Sequence, residues 1–161
     1  MIRHATADDL DTIAALHLEA RSTYYRGHIP DTEFAGPEEL ARTRAGWSRA
    51  VGRGDVLCAE RDGEIAGVAA YSRGDGPEGT VTLTQLHVLP THWRRGVGTE
   101  LHTACLDAWR TDGVTAARLE VFEKNERAQA FYAARGWTPD TEAPRSGTHL
   151  VLRLTMEPAA E

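Results

Sequence analysis

The chain has 161 residues, enough for one domain with a sizeable core. Its 18 Lys and Arg against 24 Asp and Glu leave a net charge of −6, which argues against a general nucleic-acid binder, whose face would be basic. No apolar run approaches the ~20 residues of a membrane span, and the polar, acidic start MIRHATADDLD is unlike a secretory signal, so a cytoplasmic protein with no membrane partner is expected.

Residues 2–5 read as a first strand. Thr6-Ala7-Asp8-Asp9 resembles a capping box, and Leu10, Ile13, Ala14 and His17 follow at helical spacing. STYYRGHIPDTEFAG breaks that spacing and predicts a loop rich in aromatic residues. Pro37 suits the first turn of a second helix burying Leu40, Trp47 and Val51. Val56–Arg61 and residues 64–73 predict two strands joined by an Asp62-Gly63 turn. GDGPEG is a loop and Thr80–Val88 a further strand. Residues 99–110 predict a helix stopped near Gly113, and Ala116–Phe122 a strand. Residues 126–135 predict a helix with Gly136 as its C′ residue, and His149–Thr155 the last strand. Residues 1–156 are expected to form one domain and 157–161 a frayed tail. Early hairpins followed by helix-separated strands imply a mixed α/β sheet with helices on both faces.

Cys58 and Cys105 lie in apolar contexts and are expected to be reduced core thiols. The seven histidines form no ligand-spaced cluster, and neither CxxC nor HExxH occurs, so no metal is expected.

Two stretches carry chemistry. In the first, TVTLTQLHV, apolar Val81 and Leu83 give way to Leu86 and Val88, so the two-residue period changes phase. Either a β-bulge near Thr84 and Gln85 inserts one residue, or one polar pair is misplaced in a plain strand. Then comes LPTHWRRGVGTELH, where Arg94, Arg95, Gly96 and Gly98 immediately precede a helix. Backbone amides at a helix start favour an anion, and glycine lets a ligand approach closely. The loop lacks the GK[ST] of a P-loop and the third glycine of a dinucleotide fingerprint, which disfavours nucleotide binding. Alone it could be only a turn.

The second stretch is LEVFEKNERAQAFYAARGW, residues 119–137. Glu120 stands inside an apolar strand, Asn125 sits at a helix start, and Tyr132 follows seven residues later, two helical turns on. A solvated strand carboxylate and a core tyrosine are the plain alternatives.

Together these stretches resemble the GNAT family of acyl-CoA-dependent N-acetyltransferases, specifically over residues 80–137. The LEV…N…FY spacing is similar to ribosomal-protein alanine acetyltransferases. The resemblance implies a central mixed sheet of six to seven strands, one of them bulged and splayed, with about four helices. It implies acetyl-CoA as co-substrate. Main-chain groups of Leu86 and Val88, flanking His87, would pair with the pantetheine arm. The amides of Arg94, Arg95, Gly96, Val97, Gly98 and Thr99 would hold the pyrophosphate. Asn125 would contact the cofactor arm and Tyr132 the thioester sulfur. Glu120 would be the general base, with His87 as rival. Trp93 stands where the family usually has Gln or Arg, which removes one polar contact. Tyr24, Tyr25, His28, Asp31, Glu33 and Phe34 lie on the segment that walls the acceptor site in this family.

The implied reaction is acetyl transfer to a primary amine by direct attack in a ternary complex. A small cationic amine and a peptide N-terminus both suit aromatic and acidic acceptor residues. A non-catalytic acyl-CoA-binding module is the alternative. The expected assembly is a monomer or homodimer.

Overall fold

The computed structural model describes residues 1–73 and 77–157. In chain order the elements are β1 (Ile2–His4), α1 (Leu10–Tyr25), α2 (Pro37–Arg53), β2 (Val56–Arg61), β3 (Glu64–Ser72), β4 (Thr80–Val88), α3 (Val97–Thr111), β5 (Ala116–Phe122), α4 (Glu126–Ala133), β6 (Thr138–Pro139), β7 (Arg145–Ser146) and β8 (His149–Thr155). The strand order is β1-β2-β3-β4-β5-β8-β6, with β7 also on β8. β4 and β5 run parallel, while β1–β2, β2–β3 and β5–β8 are antiparallel. The sheet is therefore mixed, as expected. Its eight strands exceed the expected six to seven because β6 and β7, two residues each, are too short to leave a sequence period. Part of the expected GDGPEG loop, 74–76, and the tail at 158–161 lie outside the described residues.

The chain sorts into two compact units, residues 1–70 with 85–105 and residues 71–84 with 106–161, so β3, β4 and α3 each contribute to both.

In the first unit, Leu10, Ile13 and Leu16 of α1 and Trp47 of α2 pack with Val56 and Cys58 of β2 and Val68 and Ala70 of β3. The helix pair thus covers the face that Val68 presents. Gly67 presents the opposite face, as alternation requires, and meets α3: a Cβ there would lie 2.8 Å from Val97 Cγ1 and 2.9 Å from Leu101 Cδ1. Thr6 N–H donates to Asp9 Oδ2 at 2.8 Å, the reciprocal half of a capping box. Arg3 binds both Asp9 oxygens, at 2.8 and 2.9 Å, and Glu60 at 2.6 Å, which lowers the Asp9 carboxyl to about 2. Asp62 and Gly63 both adopt positive φ, 53° and 80°, the geometry of a two-residue hairpin turn. Cys58 and Cys105 are free thiols, both fully buried.

Three expectations here need correction. Ser22, Thr23, Tyr24 and Tyr25 are helical, not loop, because α1 runs to Tyr25; the sequence pattern hid this because that last turn carries aromatic residues on its partly exposed side. Leu40 is 39% exposed instead of buried, and the buried position of α2 belongs to Trp47. α3 begins at Val97, two residues earlier than the spacing suggested.

In the second unit, the β4–β5 ladder pairs Thr80–Leu83 with Ala116–Leu119, and both strands continue beyond it. β8 pairs the whole length of β5, from Ala116 to Phe122. Trp109 of α3 meets Tyr71 edge to face at 5.6 Å. α4 ends at Ala133 with Ala134 as its cap, so Gly136, at φ 92°, lies beyond the C′ position assigned to it.

Candidate active site

β4 carries the first group of expected site residues. The ladder to β5 stops after Leu83, where the sequence pattern changes phase. Val81, Leu83 and His87 are buried, while Leu86 and Val88 are only partly so. Beyond Leu83 the buried residue of β4 is thus a histidine, while the apolar Leu86 and Val88 are half-buried. A register shift does occur in the sheet, at Ala59/Glu60 of β2.

Beyond Val88 the chain makes a short 3-10 turn at Pro90–His92. Trp93 then donates its indole N–H to the Val88 carbonyl at 3.1 Å. The residue that departs from the family pattern therefore ties the loop back to the strand end, a contact that sequence reasoning missed. Arg94 adopts φ 63°, uncommon for a residue with a Cβ, and Gly96 follows at φ 79°. No atom lies within 4 Å of where a Gly96 Cβ would stand. Gly96 O accepts the Glu100 amide at 3.0 Å, so the helix starts directly after this reversal. The first turn of a helix presents amides that its own carbonyls cannot accept. Arg94 and Arg95 are exposed beside it. Glu100, in that turn, is ion-paired to Arg61 at the end of β2. The arrangement offers main-chain donors, a positive dipole end and two cations to an anion.

His87, the rival base, is buried. Its Nε2 lies 2.6 Å from Gln85 Oε1, and its ring stacks on His17 at 4.2 Å. Burial, then His17 and Arg21, push it far below the ordinary imidazole range. Burial, then Arg21, hold His17 at about 4. His17, Trp47 and Gln85 were not singled out as site residues; for the two helical residues, core spacing was the visible signal.

The expected acceptor segment is more tightly built than a loop. Tyr24 and Tyr25 pack edge to face at 4.6 Å, and Tyr25 lies 5.9 Å from Phe34. Phe34 is 1% exposed, so it is core and not a contact surface. Arg26 stands over its ring at 5.8 Å and pairs with Asp31 at 3.6 Å. Arg21 donates to Phe34 O at 3.2 Å and to Glu39 at 2.8 Å, pinning the connection between α1 and α2. His28, Asp31 and Glu33 are exposed.

In the second unit, Glu120 is exposed, with Arg118 3.8 Å away. Leu119 and Val121 take the core face, as expected. The Glu120 side chain is 39% exposed on the other face, the solvated strand carboxylate of the plain alternative. Asn125 Oδ1 accepts the Ala128 amide at 3.2 Å, so its side-chain oxygen caps α4 and its NH₂ group remains for other partners. Tyr132, two turns along α4, is buried, with its ring at 5.4 Å from Phe131 and 5.9 Å from Trp137. The β4-loop-α3 residues belong to one unit and Glu120, Asn125 and Tyr132 to the other.

A strand feeding a glycine-hinged loop into a helix N-terminus, within a mixed sheet, defines a mixed α/β protein. The sequence matches the Acetyltransferase (GNAT) family over residues 16–137, and the chain belongs to that family. It is 36% identical over 95 residues to an uncharacterised N-acetyltransferase of Mycobacterium tuberculosis, covering 58% of this chain and 60% of that protein. The chain thus spans about three fifths of the curated relatives it first matches. Its fold is similar to the PaiA N-acetyltransferase from Thermoplasma acidophilum in complex with coenzyme A, at a TM-score of 0.82 and 17% identity, covering 96% of this chain and 98% of that one. It is also similar to a ribosomal-protein alanine N-acetyltransferase from Escherichia coli, at a TM-score of 0.70 and 22% identity, covering 100% of this chain and 96% of that one. Among the described residues, no helix is long and apolar enough to cross a membrane.

Proposed function

We propose that the protein transfers an acetyl group from acetyl-CoA to a primary amine, by direct attack in a ternary complex. The observation that carries this reading is the loop into α3. Arg94 at φ 63° and Gly96 at φ 79° turn the chain just before α3, whose first-turn amides have no carbonyl partner within the helix, and nothing lies within 4 Å of a Cβ at Gly96. A diphosphate fits such a cradle, since it needs several donors and a close main-chain approach. The main chain at Leu86 and Val88 is the proposed partner of the pantetheine arm. The Trp93 bond to Val88 O is compatible with that role, because a carbonyl oxygen has two lone pairs.

The acceptor is a primary amine on a small molecule or a peptide. An alkyl amine with a pKa of about 10.4 is neutral in only about one molecule in a few thousand at pH 7, so a base must take its proton. Glu120 is the proposed base: its carboxylate is accessible, so a proton can reach it directly or through water. The neutral amine then attacks the thioester carbonyl, and the tetrahedral oxyanion is stabilised by a backbone N–H. The C–S bond breaks, the thiolate leaves with a hydrogen bond from Tyr132, and the surplus proton on nitrogen passes to the thiolate, giving the amide and free CoA thiol. Asn125 contacts the cofactor arm through its side-chain NH₂. Arg26 already occupies the Phe34 ring and neutralises Asp31. A small cation therefore finds less there than composition suggested.

The test is release of free CoA thiol across a panel of amines, including polyamines, amino acids, aminoglycosides and short peptides, beside calorimetric titration with CoA. Acetyl transfer to at least one amine is expected. CoA binding without transfer to any amine would favour the non-catalytic acyl-CoA module. Absence of CoA binding would overturn the reading altogether.

A further inference from the structure

A chain of polar side chains crosses the interior of the first unit. Trp47 of α2 donates its indole N–H to His17 Nδ1 at 3.0 Å. His17 of α1 stacks on His87 of β4, with ring centroids 4.2 Å apart and planes 26° apart. His87 Nε2 meets Gln85 Oε1 at 2.6 Å. His17, Trp47 and His87 are all buried. Chemistry fixes the protons. An indole N–H only donates, so His17 Nδ1 holds a lone pair and its Nε2 the hydrogen. An amide oxygen only accepts, so His87 Nε2 holds the hydrogen. A charge on either ring would face the other ring and Arg21, whose guanidinium is engaged by Phe34 O and Glu39. From α2 the charged group is Glu39, already paired to Arg21, while Trp47 and Gln85 are neutral.

We propose that Trp47, His17 and Gln85 are positioning residues that lock the His87 ring, and that His87 thereby fixes the β4 backbone at Leu86 and Val88 instead of serving as a base. His87 lies between those two residues, so anchoring its side chain fixes the pleat on either side. Two helices and the strand itself supply the anchor. This inference rests on the proposed function, in which that backbone orients the thioester. Orientation of the reacting group governs turnover more than ground-state binding.

The test uses substitutions that separate a hydrogen bond from a proton acceptor. His87→Gln keeps an N–H close to Nε2 but has no basic nitrogen, whereas His87→Leu keeps neither. Trp47→Phe keeps the packing and removes the donor to His17. His87→Gln is expected to lose clearly less kcat than His87→Leu and to keep the wild-type pH profile. His87→Leu and Trp47→Phe are expected to lose about tenfold or more in kcat while the acetyl-CoA KM moves less than about twofold. Should His87→Gln lose as much as His87→Leu and shift the acidic limb, His87 is a base and the proposal fails. Wild-type kcat in Trp47→Phe overturns it as well. Imidazole ¹⁵N shifts read the network without any activity. Both rings should be neutral Nε2–H tautomers at pH 7, and a cationic or Nδ1–H form of His87 refutes the assignment. A wild-type protein that acetylates nothing overturns the proposed function; the ¹⁵N shifts then decide on the network by themselves.

Discussion

Gly67→Ala perturbs the cradle from behind. The added Cβ would stand 2.8 Å from Val97 Cγ1, 2.9 Å from Leu101 Cδ1 and 3.1 Å from His87 O. The third contact is backbone and cannot swing away. Val97 is β-branched and helical, so one χ1 rotamer dominates and its methyl has little freedom. Leu101 is fully buried. Overpacking of this kind costs about 1–3 kcal/mol. Replacing a strand glycine returns about 0.5–1 kcal/mol. The net loss is therefore about 1–2 kcal/mol, which for a chain of this size lowers Tm by roughly 2–8 °C. Relief comes by lifting the first turn of α3, so CoA binding should weaken together with stability. Thermal unfolding and calorimetric titration with CoA on the same preparation check both. Unchanged or higher Tm and wild-type CoA affinity in the Gly67→Ala variant would show that α3 does not need this close approach.

Gly98→Asp, in the first turn of α3, should abolish CoA binding without unfolding the protein, as calorimetry and circular dichroism would show. Tyr132→Phe should lower turnover far more than it raises the acetyl-CoA KM; a change within about twofold, roughly 0.4 kcal/mol, would leave the tyrosine a packing residue. Glu120→Gln should cost about 10²-fold or more at neutral pH, flatten the acidic limb of kcat/KM and lose less at high pH, where the amine is already neutral; a wild-type pH profile would remove Glu120 as base. Stability should fall as pH drops from 6.5 to about 4. His17 is held at about 4 in the folded protein, below its unfolded value, so the unfolded chain binds the extra proton in that window. The loss from His17 alone is about 3 kcal/mol, and urea unfolding that is flat over this range would refute it.

Element order and sheet type were legible because hairpin turns and two-residue periods are local signals. Asp62-Gly63 and the alternation in β5 state their conformation within a few residues. The loop into α3 was legible for the same reason, since its glycines and arginines are contiguous. What stayed hidden depends on long-range partners. The Trp47–His17 bond joins residues 30 apart, and each alone reads as ordinary helical core. His87 was named as rival base because it shares the strand of the expected thioester contacts and an imidazole ordinarily titrates near neutrality, and nothing local announces that His17 of α1 stacks on it. Phe34 looked like a loop contact because nothing local announces that Arg21 holds its carbonyl and that the core takes its ring. Glu120 sits between apolar residues in sequence, yet its exposure depends on what covers its face of the strand, and there it meets solvent and Arg118.

The two buried thiols bear on a side reaction. On the proposed chemistry the protein handles a thioester while carrying sulfur nucleophiles of its own. In thiol–thioester exchange a thiolate takes the acyl group and CoA leaves as the displaced thiolate. The attacking species is the thiolate, not the thiol. Burial is the main cause that pushes Cys58 up to about 11 and Cys105 to about 12. At pH 7 the ionised fractions are then about one in 10⁴ and one in 10⁵. Self-acylation is suppressed first by this shortage of nucleophile and again by full enclosure of both sulfurs. On that chemistry a bound acyl donor would be protected from the protein's own thiols.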